Sequence, residues 1–261
     1  MKKFGALFFI CLTATLSAWL TEPSTETQAL VAPYLLTENH PAKPILDEIF
    51  GNERVSINLK TLKNAGFKDL KLRKRGIVFA RHPKLPGYVI KLICDYTGHS
   101  FNEWEKTYRK QDEHLEFIGR IQKRNQITEI IERHHFDQFI TPRKWIYAIP
   151  TEIDPPQKHT IVKKFYLLVA DDIDIVDAHT CYTIWKTAVD RDFVHDYFVV
   201  YREARLQDFG PPNQSFTNSG HLAFIDTKDW PDETFVPIPR PFFLYGELRD
   251  YWKELVLRHF D

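Results

Sequence analysis

Two aspartates, one asparagine and one lysine carry the chemistry this sequence offers. The stretch "LQDFGPPNQSFTNSGHLAFIDTKDW", residues 206–230, holds Asp208, Asn213 and Asp226. Asp208 precedes Gly-Pro-Pro, which continues neither helix nor strand, so it belongs to a stiff loop. A carboxylate held in such a loop can orient a hydroxyl and accept its proton. Asp226 ends the apolar run Leu222-Ala223-Phe224-Ile225, and Asn218 and Gly220 supply the turn before that strand. A carboxylate at a strand end and an amide oxygen in a loop are two hard oxygen donors. They suit Mg²⁺, which keeps most of its waters. The triplet Asp208-Phe209-Gly210 also reads literally as a metal-binding signature, but the rigid strand favours Asp226 as the metal ligand. Lys91, in Val89-Ile90-Lys91, is a point charge between apolar neighbours on an expected strand, where its direction is fixed.

The elements that must position these residues follow from periodicity and breakers. Gly76–Arg81 and Tyr88–Ile93 read as strands around the turn "HPKLPG". Residues 100–138 lack proline and space their apolar residues helically, as one long helix or two. "FITPRKWIYAIP" and "TIVKKFYLLVADDIDIV" follow as strands, then a helix over 179–205, the loop and strand above, an irregular proline-rich stretch at 231–241, and a closing amphipathic helix. A β-rich half followed by a helical half is α+β, not a doubly wound sheet. Residues 21–55 read as a polar extension with at most a short helix near Ile45–Phe50.

Composition narrows the function classes. Hydrophobic residues are 43% and charged residues 27%, which places the chain among ordinary globular proteins. The 35 basic and 35 acidic residues cancel, so no global field points to nucleic acid as a partner. Lys2 and Lys3 precede a run free of charged residues, Phe4–Ala18, and then polar "TEPSTETQ". That order predicts a cleaved signal peptide at 1–18, an exported or secreted protein, and no stable membrane span after cleavage. Cys94 and Cys181 have neither metal-site nor disulfide spacing and read as buried free thiols.

D-x-x-x-x-N followed by a turn and a short strand ending in Asp resembles the catalytic segment of the protein-kinase-like superfamily, which includes aminoglycoside and choline phosphotransferases. The resemblance spans roughly residues 60–230 and is carried by the order of its parts. It implies a two-lobe α+β fold, with an N-terminal extension at 19–55, a β-rich N-lobe at 56–169 and a reduced helical C-lobe at 170–261. It implies ATP and Mg²⁺ as cofactors and phosphoryl transfer as the reaction. Asp208 would be the catalytic base, and Asn213 and Asp226 the metal ligands. Lys91 would lie on the nucleotide phosphates, paired with a helix glutamate among Glu113, Glu116 and Glu129; Glu129 is preferred for its closeness to the next strand. Ala170–Asp172 would face the adenine.

The sequence also departs from that pattern. Leu206-Gln207 precedes the loop aspartate, Thr227-Lys228 follows Asp226, and no Gly-x-Gly-x-x-Gly occurs. Thr227–Asp261 is short for the helices that usually follow, which truncates the expected C-lobe and its peptide-docking surface. These departures imply an alternative: a pseudokinase-type module that binds a protein partner, an exported effector with little chemistry.

Overall fold

The apolar alternation on either side of His82–Gly87 closes into a hairpin, and that hairpin anchors a five-stranded antiparallel sheet. The computed structural model describes residues 22–72, 77–95, 113–153, 163–207, 209–227, 238 and 241–260. The expected signal peptide and Asp208 lie outside the described residues. The strands are β1 (Lys68–Leu72), β2 (Ile77–Arg81), β3 (Tyr88–Ile93), β4 (Phe139–Ile140), β5 (Lys144–Ala148), β6 (Tyr166–Asp171), β7 (Gln214–Phe216) and β8 (Leu222–Phe224). The large sheet runs β1-β2-β3-β6-β5, and a three-stranded sheet runs β4-β8-β7. The architecture is therefore α+β. No described helix is long and apolar enough to cross a membrane.

Strand alternation gives the large sheet two buried faces. Val78, Ala80, Ile90, Leu92, Leu167 and Val169 face one way. They pack on Leu46 and Phe50 of α2 (Ala42–Phe50) and on Leu62 of α3 (Leu59–Asn64). Asn58 caps α3 by accepting from the amides of Lys60 and Thr61. Residues 21–55 are thus not a loose extension. They hold α1 (Thr25–Val31) and α2, whose Leu46 is fully buried, and Leu36 donates its amide to Ile146 at the outer edge of β5, at 2.8 Å. Prolines hid this: Pro41 is the N-cap of α2 and Pro44 sits in its first turn, where a missing N–H costs nothing.

The opposite face carries Ile146, Tyr166 and Leu168 and is covered by α4 (Glu113–His134) through Phe117, Ile118 and Ile121. At about 33 Å this helix is long enough to serve both halves. Its Ile127 and Ile130 enter the second core, with Trp185 of α5 (Ala178–Thr187), Tyr197 and Tyr201 of α6 (Arg191–Glu203), Phe224 of β8 and Trp252 of α7 (Gly246–Phe260).

Two expected elements divide. The helix over 179–205 breaks because Asp190 starts a new one, accepting from Phe193 N at 2.8 Å. "FITPRKWIYAIP" splits at Thr141-Pro142: β4 pairs parallel with β8, while β5 joins the large sheet.

The Asp208-Phe209-Gly210 triplet has a packing use. Phe209 is buried 4.6 Å from the Tyr201 ring and stacks on Trp252 at 5.7 Å. Gly210 holds φ +126°, and a Cβ there would meet the Phe243 ring at 3.3 Å, so only glycine fits.

Candidate functional site

Lys91 lies on the sheet face that α4 covers, across β6 from Lys144. Lys91 registers with Leu168, while Lys144 registers with Ala170 two residues on. Two lysines thus enter a face made mostly of apolar side chains. Their partners come from the segment after β8. Lys91 Nζ lies 3.4 Å from Asp226 Oδ1. Lys144 Nζ donates to Thr227 Oγ1 at 2.6 Å, and that hydroxyl donates to the Arg120 carbonyl of α4 at 2.8 Å.

Asn213 locks the same place from below. Its carbonyl accepts the amides of Ile225 and Asp226 at 3.0 and 3.1 Å. The two expected metal ligands are therefore neighbours, and Asn213 is half-buried. Gly220, at φ +89°, makes the tight turn that returns the chain from β7 into β8.

The fourth contributor is Arg120. Its guanidinium donates to Asp226 Oδ1, the oxygen that also faces Lys91. Glu116, one turn earlier on α4, accepts from Arg120 Nε at 2.9 Å and from its second terminal nitrogen at 2.7 Å. Arg120 is buried, its side chain 5% exposed; Lys91 is 15% and Asp226 34% exposed, so the carboxylate forms the open mouth of the cluster. Burial, with the charges of Lys91, Arg120 and Arg124, holds the Lys144 ammonium pKa well below the usual lysine range.

The other expected residues fall as follows. Glu129 is exposed and lies nine residues beyond Arg120. That is about 14 Å along the axis and on the opposite side of the helix, so it cannot serve Lys91. Helical phase, not closeness to the next strand, decides, and Glu116 is the glutamate that α4 brings to the cluster. Glu113 is used elsewhere, accepting the Phe165 amide at 2.8 Å. Ala170 is buried on the Lys91 face, but β6 is central and Ala170 pairs with both Val89 and Lys144. Asp172 is spent on Arg81, at 2.5 and 2.7 Å, and its amide donates to Gly87 O. The basic run "KLRKR" begins in β1, an edge strand whose Lys71 and Leu72 are exposed. Cys181 is buried and Cys94 half-buried, both as free thiols.

Two pockets of about 240 and 220 Å³ lie elsewhere, the first along α1 and Phe165, the second beside Arg81 and Asp172. Among the described residues no three His, Cys, Asp or Glu side chains cluster as a metal site. Asn213 and Asp226 have the donor chemistry for Mg²⁺, but Asp226 Oδ1 already faces two cations. A Mg²⁺ ion on that oxygen would compete with Lys91 and Arg120 for it.

Arg120, Lys144 and Thr227 were not expected from the sequence. Glu116 and Arg120, four apart and flanked by the buried Phe117 and Ile121, were the signal for the first. Lys144, inside "RKWIY", repeats the Lys91 pattern of a lysine in an apolar strand. The chain matches no protein-family model and no curated protein sequence.

Proposed function

We propose that this chain is an exported, kinase-like nucleotide-binding protein whose phosphate-binding groups sit at the Lys91–Asp226 cluster. One observation carries the reading: Lys91 of β3 reaches Asp226 beyond β8 at 3.4 Å, across 135 residues, with Asn213 bonded to the Asp226 amide. The chain runs from the strand of Lys91 through a covering helix, β4 to β6, α5 and α6, and β7 to the short strand before Asp226, an order compatible with the resemblance. Lys91 supplies a compact charge for phosphate oxygens, and the buried sheet face fixes its direction. Binding of a fluorescent ATP analogue tests the reading. Lys91→Met is expected to weaken it by about tenfold or more, the loss of at least one charge-assisted hydrogen bond. Equal binding by wild type and Lys91→Met contradicts it.

Two forms of the function share this site. The first is an ATP-dependent phosphotransferase, with Asp208 as base. The second is a pseudokinase-type module that binds nucleotide and a protein partner without turnover. The arginine on Asp226 supports the second, because it occupies the carboxylate that a transferase gives to metal. That form expects ATP to be recovered intact after long incubation with the protein.

A further inference from the structure

Among the described residues, five charged side chains meet where α4 crosses the sheet: Lys91 and Arg120 share Asp226, Glu116 holds Arg120, and Lys144 lies beside them on Thr227. Other buried ion pairs of the sheet half are matched one to one, Arg54 with Asp95 and Lys164 with Glu113. A part-exposed carboxylate whose one oxygen is shared by two cations can be displaced by a more highly charged anion.

Arg120 is a fixed part of this cluster and not a surface side chain that drifted in. Glu116 grips two of its nitrogens, and Thr227 bonds its carbonyl. Its guanidinium and the Lys91 ammonium share Asp226 Oδ1. A divalent ion placed on that oxygen would sit against two positive groups. The guanidinium instead supplies, permanently, the positive charge that a metal would bring. Nε and one terminal nitrogen stay on Glu116, and the terminal nitrogen that meets Asp226 is the one a phosphate oxygen would take over.

We propose that Arg120 takes the cation position at Asp226, and that the cleft holds a nucleoside triphosphate on Lys91 and Arg120 without a divalent metal. This rests on the reading of the cluster as a nucleotide site. Asp226 then holds both cations and competes with the polyphosphate for them.

Calorimetric titration of ATP into the full chain, once in EDTA and once in excess Mg²⁺, separates the two ideas. Dissociation constants within about threefold of each other support the proposal, a difference well under the 1.4 kcal/mol that corresponds to tenfold. Binding seen only with Mg²⁺ overturns it and leaves the nucleotide reading standing. Binding in neither condition overturns both. Arg120→Gln is expected to weaken binding in EDTA at least tenfold; unchanged binding overturns the proposal. Should that variant not fold, Asp226→Asn decides. It removes the carboxylate that competes for both cations, so binding in EDTA persists or tightens, whereas a metal-dependent site loses binding.

Discussion

Two carboxylates, Asp95 after β3 and Asp226 after β8, meet arginine in opposite ways. Asp95 is fully buried and accepts from Arg54 Nε and a terminal nitrogen at 2.9 and 2.8 Å, from Ser56 Oγ at 2.9 Å and from the Lys164 amide at 2.7 Å. Both its oxygens are used, and no further ligand could reach them. Asp226 is one-third exposed and meets Arg120 and Lys91 through a single oxygen. A saturated buried carboxylate is architecture: it ties the segment before α3 to the start of β6. A carboxylate that is part-exposed and shared by two cations through one oxygen is where the proposal places its ligand. Burial of the arginine does not separate the two cases, since Arg54 and Arg120 are both nearly inaccessible. The state of the carboxylate does.

The largest effect should come from the architectural pair. Asp95→Ala strands Arg54 in the core, and breaking such a pair costs about 3–5 kcal/mol. Thermal unfolding should fall by on the order of 10 °C. A loss of only a degree or two would mean that Asp95 is no more structural than Asp226, and the comparison would fail.

Lys144 gives the next effect, of opposite sign. Its folded pKa is lowered, first by burial and then by Lys91, Arg120 and Arg124. Below the unfolded lysine value of about 10.4 the unfolded chain therefore binds the extra proton, and stability rises with pH toward that value. Replacing the buried charge by an apolar group of similar length should stabilise the fold by about 1–3 kcal/mol at pH 7. Urea unfolding of Lys144→Met from pH 7 to 9 should show a higher and flatter stability than wild type. A slope identical to wild type would mean that folding does not lower the Lys144 pKa.

The smallest effect separates two glutamates of one helix. Glu129→Ala, on the exposed side of α4, should change stability by less than about 0.5 kcal/mol and leave ATP binding untouched. Glu116→Gln should release Arg120 and weaken ATP binding several-fold at most, since the guanidinium keeps Asp226. Paired ATP titrations of the two variants check this, and equal behaviour would mean that Glu116 does not position Arg120.

Much of this was legible in the residues. The hairpin around His82–Gly87 and the alternation in Tyr88–Ile93 gave Lys91 its strand and direction. The turn at Asn218 and Gly220 gave the strand before Asp226. What was not legible depended on contacts distant in sequence. The short helix near Ile45–Phe50 was legible and is α2, but α1 was not, because among its residues only Val31 is buried. Glu129 was preferred by its distance along the chain, yet the phase of α4 set by Phe117, Ile118 and Ile121 turns Glu116 and Arg120 inward. Arg120 resembles any surface arginine in an Ile-rich helix until the segment after β8 is brought against it.

The central claim is that the Lys91–Arg120–Asp226 cluster binds nucleotide, and thermal unfolding of the full chain with and without millimolar ATP tests it most directly. A ligand at about a hundred times its dissociation constant stabilises by roughly 2.7 kcal/mol, a shift of several degrees for a chain of this size. The account predicts that shift in EDTA as well as in Mg²⁺, and predicts its loss in Lys91→Met. An unfolding temperature that does not move with ATP in either condition would contradict it.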